Sequence, residues 1–292
     1  MELFRALAVL AEPPEREVAH LVEALELGPM PDASEYTELF IFQLYPYASV
    51  YLGAEGMLGG EARDRIAGFW RALGQAPPLE ADHLALMLAL YAHLVELEEG
   101  ESDPVRRAGW HGARKAFLWE HLLSWLPVYL SKLETIATPF YRKWGELLLK
   151  ALREEAEALG GQESLSLHWR EAPGLVDPRS DKTEEFLKSL LCPVRSGMIL
   201  VRSDFGRAAR ELGLGLRMGE RLFILKALFG QDAPGTLAWL EREASFWIKR
   251  HRLQEEAFGK VVSVWAEKAA ATVALLEELN VTAREATRVA ES

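Results

Sequence analysis

The sequence predicts an all-α protein. Apolar residues recur at helical spacing along almost the whole chain, and no stretch sustains the alternation between turn residues that a sheet would need. At 49% hydrophobic and 26% charged residues, the composition is that of a globular chain able to bury a core. The spacing predicts the first helices over 2–10 and 14–27, the second opened by Pro13-Pro14 with Glu15 and Glu17 complementing its dipole. A helix over 33–44 follows, capped by Asp32 or Ser34. Leu44-Tyr45-Pro46-Tyr47 breaks it, a glycine-rich turn runs from Gly53 to Gly60, and a helix over 61–73 is closed by Gly74. Pro77-Pro78 introduce a helix over 79–98 that is apolar on two faces (Leu84, Met87, Leu88, Tyr91, Leu94 and Val95, then Leu86, Leu90 and Leu97) and therefore central. Two long segments, 104–132 and 138–158, carry Pro127 and Pro139, the first of which should break its helix.

Between Gly160 and Lys182 the pattern dissolves into Gly, Ser, Pro and charge, too long a stretch for an ordinary intradomain loop. This predicts three parts: a helical domain over 1–160, a linker or functional loop over 161–182, and a helical extension over 183–292. In the extension, helices are expected over 183–190, 203–212, 217–229, 233–252 and 255–279, with a fraying piece over 282–291.

With 292 residues and a net charge of −11, the chain is disfavoured as a nonspecific binder of nucleic acid or anionic membrane and suited to cationic partners. The acidity is local. Residues 1–182 carry 29 acidic and 17 basic side chains, against 15 and 16 in 183–292. The longest apolar run, Leu84 to Ala92, is too short to span a bilayer, and the first residues lack the features of a secretion signal, so a cytoplasmic location is expected. Cys192 is the only cysteine, which excludes an intrachain disulfide and a cysteine-built zinc site.

No nucleophile elbow, phosphate-binding loop or dinucleotide fingerprint is present, so no catalytic residue, metal or cofactor is expected. The residues of most interest are Glu80, Asp82 and His83, where an acid and a histidine meet at a helix start. They serve either as a helix cap with a hydrogen-bonded imidazole or as the polar end of a binding site. Glu120-His121 forms a second acid–histidine pair, with packing its default role. Tyr36, Leu39, Phe40, Phe42, Tyr45, Tyr47 and Tyr51 are dense around the break at Pro46. Much of this cluster must be core; in an acidic domain the rest suits an apolar peptide with a positive end.

The chain resembles the TorD/DmsD/NarJ group, cytosolic chaperones that help mature molybdenum-cofactor oxidoreductases and check their twin-arginine signal peptides. The resemblance lies in Tyr36-x-x-Leu39-Phe40, Pro46-Tyr47-Ala48-Ser49-Val50-Tyr51-Leu52, Pro77-Pro78 ahead of Asp82-His83-Leu84, His121-Leu122-Leu123-x-Trp125-Leu126-Pro127, and Pro139-Phe140-Tyr141. It covers roughly the first 155 residues. The family's Glu-Pro-x-Asp-His stands here as Leu79-Glu80-Ala81-Asp82-His83, keeping the Asp-His pair, with Glu80 displaced by one position. The resemblance implies a TorD-like helical bundle, no enzymatic activity, and a partner that is a molybdopterin-dependent catalytic subunit or its signal peptide. On that reading Tyr36, Leu39, Phe40, Pro46 and Tyr47 line a peptide groove with Asp82 and His83 at its polar end.

Two other readings come from the residues. Glu17-x-x-His20 and Glu80-x-x-His83 repeat the pair that ferritin-like di-iron sites use, although two further inward carboxylates are not evident. Seven basic residues against three acidic ones between 195 and 226, on two short helices, resemble a helix-turn-helix DNA reader or else neutralise nearby acids. Oligomeric state is open, since helices could exchange across the 160–182 loop.

Overall fold

The computed structural model describes residues 2–161, 169, 172–180 and 182–290, with side chains described as far as 281. Among the described residues all regular elements are helices, apart from one isolated bridge between Tyr47 and His83. Two compact units form, one from Met1–Gly53, Met57–Ser166 and Ala257–Val261, the other from Ala54–Gly56, Leu167–Glu256 and Val262–Ser292.

The first unit contains α1 (Glu2–Val9), α2 (Ala19–Ala24), α3 (Ala33–Tyr36), α4 (Ala48–Leu52), α5 (Gly60–Ala72), α6 (Leu84–Gly100), α7 (Pro104–Phe117), α8 (Leu126–Ile136) and α9 (Pro139–Leu159). Helix α6 is its centre, with α1 and α7 packed along it and α8 along α9. Leu84, Leu88, Leu94 and Tyr91 of α6 are fully buried, each contributing about 2 kcal/mol of apolar burial. Phe4 meets Tyr91 edge to face at 4.9 Å, and the Trp144 indole donates to Leu7 O at 3.1 Å, tying α1 to α6 and α9. Gly145 sits where α9 packs on α8, and a Cβ there would come within 2.7 Å of Leu133 Cδ2, so that side chain would have to shift. Arg114 of α7 donates to Tyr91, Glu98 and Glu155, so one guanidinium ties α7 to α6 and α9.

Several helix limits differ from expectation for identifiable reasons. The segment after α3 winds as a π-helix over Thr37–Gln43, and Leu118–Leu122 does the same after α7. The expected 104–132 helix ends there, and α8 starts at Leu126 so that Pro127 falls in its first turn, where its missing N–H costs nothing. Helix α6 starts at Leu84 rather than residue 79, because His83 N donates to Glu80 O (2.9 Å) in a turn and His83 is extended. Helix α4 went unforeseen between the break and the glycine turn. Asp32 caps α3 through Ser34 N and Glu35 N at 2.8 and 2.9 Å.

The second unit contains α10 (Thr183–Leu190), α11 (Pro193–Ser196), α12 (Arg202–Leu212), α13 (Arg221–Gln231) and most of α14 (Ala233–Phe258) and α15 (Lys260–Ala290). The expected fraying piece continues α15 as far as Ala290. Trp239, Trp247, Trp265 and Phe205 fill the core. Gly197, at φ +71°, lies directly against α15, where a Cβ would meet Ala269 N at 2.3 Å. The His251 imidazole sits 2.8 Å from Gly197 O, and Thr272 donates to Ser196 O at 2.8 Å, which closes α11 onto α14 and α15. Of the expected 161–182 linker, residues 162–168, 170, 171 and 181 lie outside the described residues, and Pro178–Ser180 forms one 3-10 turn.

Candidate functional site

The break at Pro46-Tyr47 and the turn at Asp82-His83 meet as the antiparallel bridge, and each caps the other's helix. Pro46 O accepts from Leu84 N at 2.8 Å, occupying the first N–H of α6. In return Asp82 O accepts from Ala48 N at 3.0 Å, and Asp82 Oδ2 accepts from Ser49 N at 3.1 Å. A buried carboxylate thus supplies the negative charge that the N-terminus of α4 favours, from 33 residues away in sequence. Ser49 Oγ then accepts from Gly59 N at 3.0 Å and holds the glycine turn.

On this frame Tyr47 and His83 stand edge to face at 4.8 Å. Tyr47 donates to Glu80 Oε2 at 3.1 Å, and His83 Nδ1 lies 3.4 Å from Glu12 Oε1. Burial pushes the His83 imidazole below its ordinary value despite the carboxylates of Glu12, Glu80 and Asp82, so it stays neutral near pH 7 and cancels none of their charge. Burial, with Glu12 and Glu80 nearby, pushes the Tyr36 hydroxyl up to about 12, and burial with Glu80 raises Tyr47 as well. Glu12 and Glu80 are exposed, and among the described residues neither pairs with Lys or Arg. Leu79, next to Glu80 in the chain, is 85% exposed, and Ile41, Phe42 and Tyr45, on the segment leading to Pro46, are exposed as well. The result is two exposed carboxylates with no Lys or Arg partner among the described residues, next to a phenol.

The seven expected groove residues divide. Tyr36, Leu39, Phe40 and Pro46 are buried, with Phe40 packed on Tyr36 at 5.1 Å and on Tyr141 at 5.0 Å. They pack in the core; within the π-helical turn Leu39 and Phe40 are buried while Ile41 and Phe42 are exposed. Asp82 is buried as the α4 cap and His83 is buried behind Tyr47, which is half-exposed. Sequence reasoning missed Glu12, whose position in the loop after α1 carries no periodic signal, and Ser49, on the unforeseen α4.

The paired Glu-x-x-His motifs do not converge. His20 turns back to Glu17 O at 3.0 Å on an exposed turn, while Glu80 and His83 engage Tyr47 and Glu12. Among the described residues no group of three His, Cys, Asp or Glu side chains is placed to hold a metal ion. Three cations of the basic stretch on α12 and α13 are engaged within their own unit. Arg207 forks onto Glu243 at 2.8 Å for both bonds and lies over Trp239, Arg221 donates to Leu200 O, and Lys226 pairs with Glu184. Glu243 and Glu184, both of the second unit, thus balance Arg207 and Lys226. His121 is buried against Phe117 and Phe69, as packing predicted. Cys192 is buried, and burial pushes its thiol up. Among the described residues no helix is long and apolar enough to cross a membrane.

Residues 9–130 match the family described as the nitrate reductase delta subunit. The chain is 30% identical to the chaperone protein TorD of Shewanella amazonensis over 142 residues, covering 40% of this chain and 56% of that one. It is likewise 30% identical to chaperone protein TorD of Vibrio cholerae over 131 residues, 40% of this chain and 59% of that one. The TorD of Photobacterium profundum matches at 27% over 165 residues, 53% of this chain and 76% of that one. Residues 9–130 are thus similar to the TorD/NarJ family. The curated relatives it matches are named as chaperones. The chain spans about half the length of the first of the curated relatives it matches. No solved structure matches it. The matched family region, residues 9–130, contains the whole Tyr47–His83 site with Glu12 and Glu80.

Proposed function

We propose that the protein is a cytoplasmic chaperone that binds the catalytic subunit of a molybdopterin-dependent oxidoreductase, and the twin-arginine signal peptide where the client carries one, during cofactor loading and assembly. The observation that carries the reading is the face made by Glu12, Glu80 and Tyr47, which lies inside the family-matched region. A guanidinium group needs planar carboxylate acceptors, and Glu12 and Glu80 are exposed without cationic partners. A following apolar stretch needs open apolar surface, which Phe42, Tyr45 and Leu79 offer. Asp82 and His83 act from behind this face, one by fixing α4 and the other by orienting Glu12.

The test is affinity capture of the tagged full chain from its native cytosol with mass spectrometry of the bound proteins. Recovery of a molybdopterin-type catalytic subunit, lost when Glu12 and Glu80 are both changed to Gln, is the expected result. Recovery of the same subunit regardless of those substitutions would move the binding site elsewhere. A protein that captures no such subunit would overturn the reading.

A further inference from the structure

The second unit presents a segment whose chemistry is the converse of the Glu12–Glu80 face. In the loop between α12 and α13, Leu216 and Met218 are exposed, Met218 at 78%, and Phe223 on the first turn of α13 is exposed beside them. Arg217 projects from the same loop and Arg210 from the end of α12, and among the described residues neither meets a carboxylate. Large exposed apolar side chains interleaved with unpaired arginine are uncommon on a surface that contacts only water.

The loop is also held in shape. Gln231 accepts from Gly215 N at 2.8 Å and donates to Gly215 O at 2.9 Å, so one side chain clamps both backbone groups. Leu216 rests above Gly206, and Gly219 lies so close to the Phe223 ring that a Cβ would come within 2.8 Å of it. Preorganisation of this kind lowers the ordering cost of binding.

We propose that the 216–223 segment of one copy docks on the Glu12–Glu80 face of a second copy, so that the chaperone masks its own peptide site by head-to-tail self-association. The proposal rests on the reading of that face as a peptide site. The complementarity is visible on both sides: Arg217 and Arg210 meet Glu12 and Glu80, while Leu216, Met218 and Phe223 meet Phe42, Tyr45 and Leu79. The two surfaces are different, so the contact is heterologous. A client peptide that occupies the face competes with the second copy and releases monomer by mass action.

The experiment is sedimentation velocity of the full chain at rising concentration, in about 50 mM and about 500 mM salt. Arg217→Glu and Glu80→Arg are compared with the unaltered protein, and circular dichroism confirms that each is folded. The expected result is self-association of the unaltered chain in low salt, weakened at least about tenfold in high salt and in either variant. Mixing the two variants restores one native contact, Arg217 of one against Glu80 of the other, and gives a 1:1 dimer that neither forms alone. A monomer at all concentrations, association that Arg217→Glu leaves unchanged, or a mixture that stays monomeric would each overturn the proposal. Anisotropy of a labelled Arg-Arg-apolar peptide on the Arg217→Glu protein separates the two readings. Binding there with no self-association of the unaltered chain refutes self-masking alone, and no binding refutes the peptide site.

Discussion

Replacing Asp82 by Ala removes the acceptor that Ser49 N uses at the start of α4 and leaves that buried N–H without a partner. A hydrogen bond to a buried charged acceptor contributes about 2 kcal/mol, and loss of a helix cap about 1 kcal/mol. Helix α4 is five residues long, so its residual stability cannot absorb such a loss. Local opening around residues 47–52 should become favourable by about 2 kcal/mol, which corresponds to amide exchange about 30-fold faster in that segment. Asp82→Asn keeps an acceptor oxygen but not the charge and should lose about half as much. Hydrogen exchange with peptide-level mass spectrometry measures this directly, and α9 serves as an internal control because it does not touch Asp82. Unchanged exchange over 47–52 in Asp82→Ala would refute the cross-capping account. A double substitution at Asp82 and His83 is consequently a poor test of binding, because it perturbs the frame and the face together.

Three further outcomes follow from particular contacts. His251 is held neutral, its value lowered to about 4 by burial, so below pH 6.5 the unfolded chain binds more protons than the folded one; stability is full above that pH and is lost as pH falls toward 4, by about 2 kcal/mol at pH 5, and a denaturant midpoint for the second unit that does not move between pH 7 and 5 would contradict this. Gly197→Ala should cost more than about 3 kcal/mol, because a Cβ there overlaps Ala269 N and Trp265 O at a positive φ, and a soluble variant with an unshifted melting temperature would refute that packing. Duplex DNA should not be retained by the full chain in a filter-binding assay at about 100 mM salt, since Arg207, Arg221 and Lys226 are already engaged; salt-sensitive retention would restore the DNA reading.

The helical class and most helix positions were legible because 3.6-residue periodicity and proline placement are local signals. Helix α6 read as central because apolar residues cover two faces, and the buried Leu84, Leu88 and Leu94 bear this out. The start of α6 was misread because the turn at Glu80–His83 is fixed by Pro46 and Tyr47, which no local pattern reveals. Asp82 and His83 stood out in the sequence as an acid–histidine pair, but their burial was not visible there. Tyr36, Leu39 and Phe40 were assigned to the groove on the family resemblance, with the segment read as one α-helix over 33–44. Within the π-helical turn over Thr37–Gln43, Ile41 and Phe42 are exposed instead. Glu12 reaches His83 from a different segment altogether, a tertiary contact that spacing cannot encode.

The central claim is that Glu12 and Glu80 receive the cationic end of an apolar peptide. Its most direct measurement is isothermal titration of an Arg-Arg-apolar peptide into the full chain, alongside Glu12→Gln, Glu80→Gln and the double variant. The account predicts affinity reduced about tenfold by each exposed substitution and further by both, with unchanged helix content and weaker binding in high salt. Equal affinity for the unaltered chain and the folded double variant would contradict it.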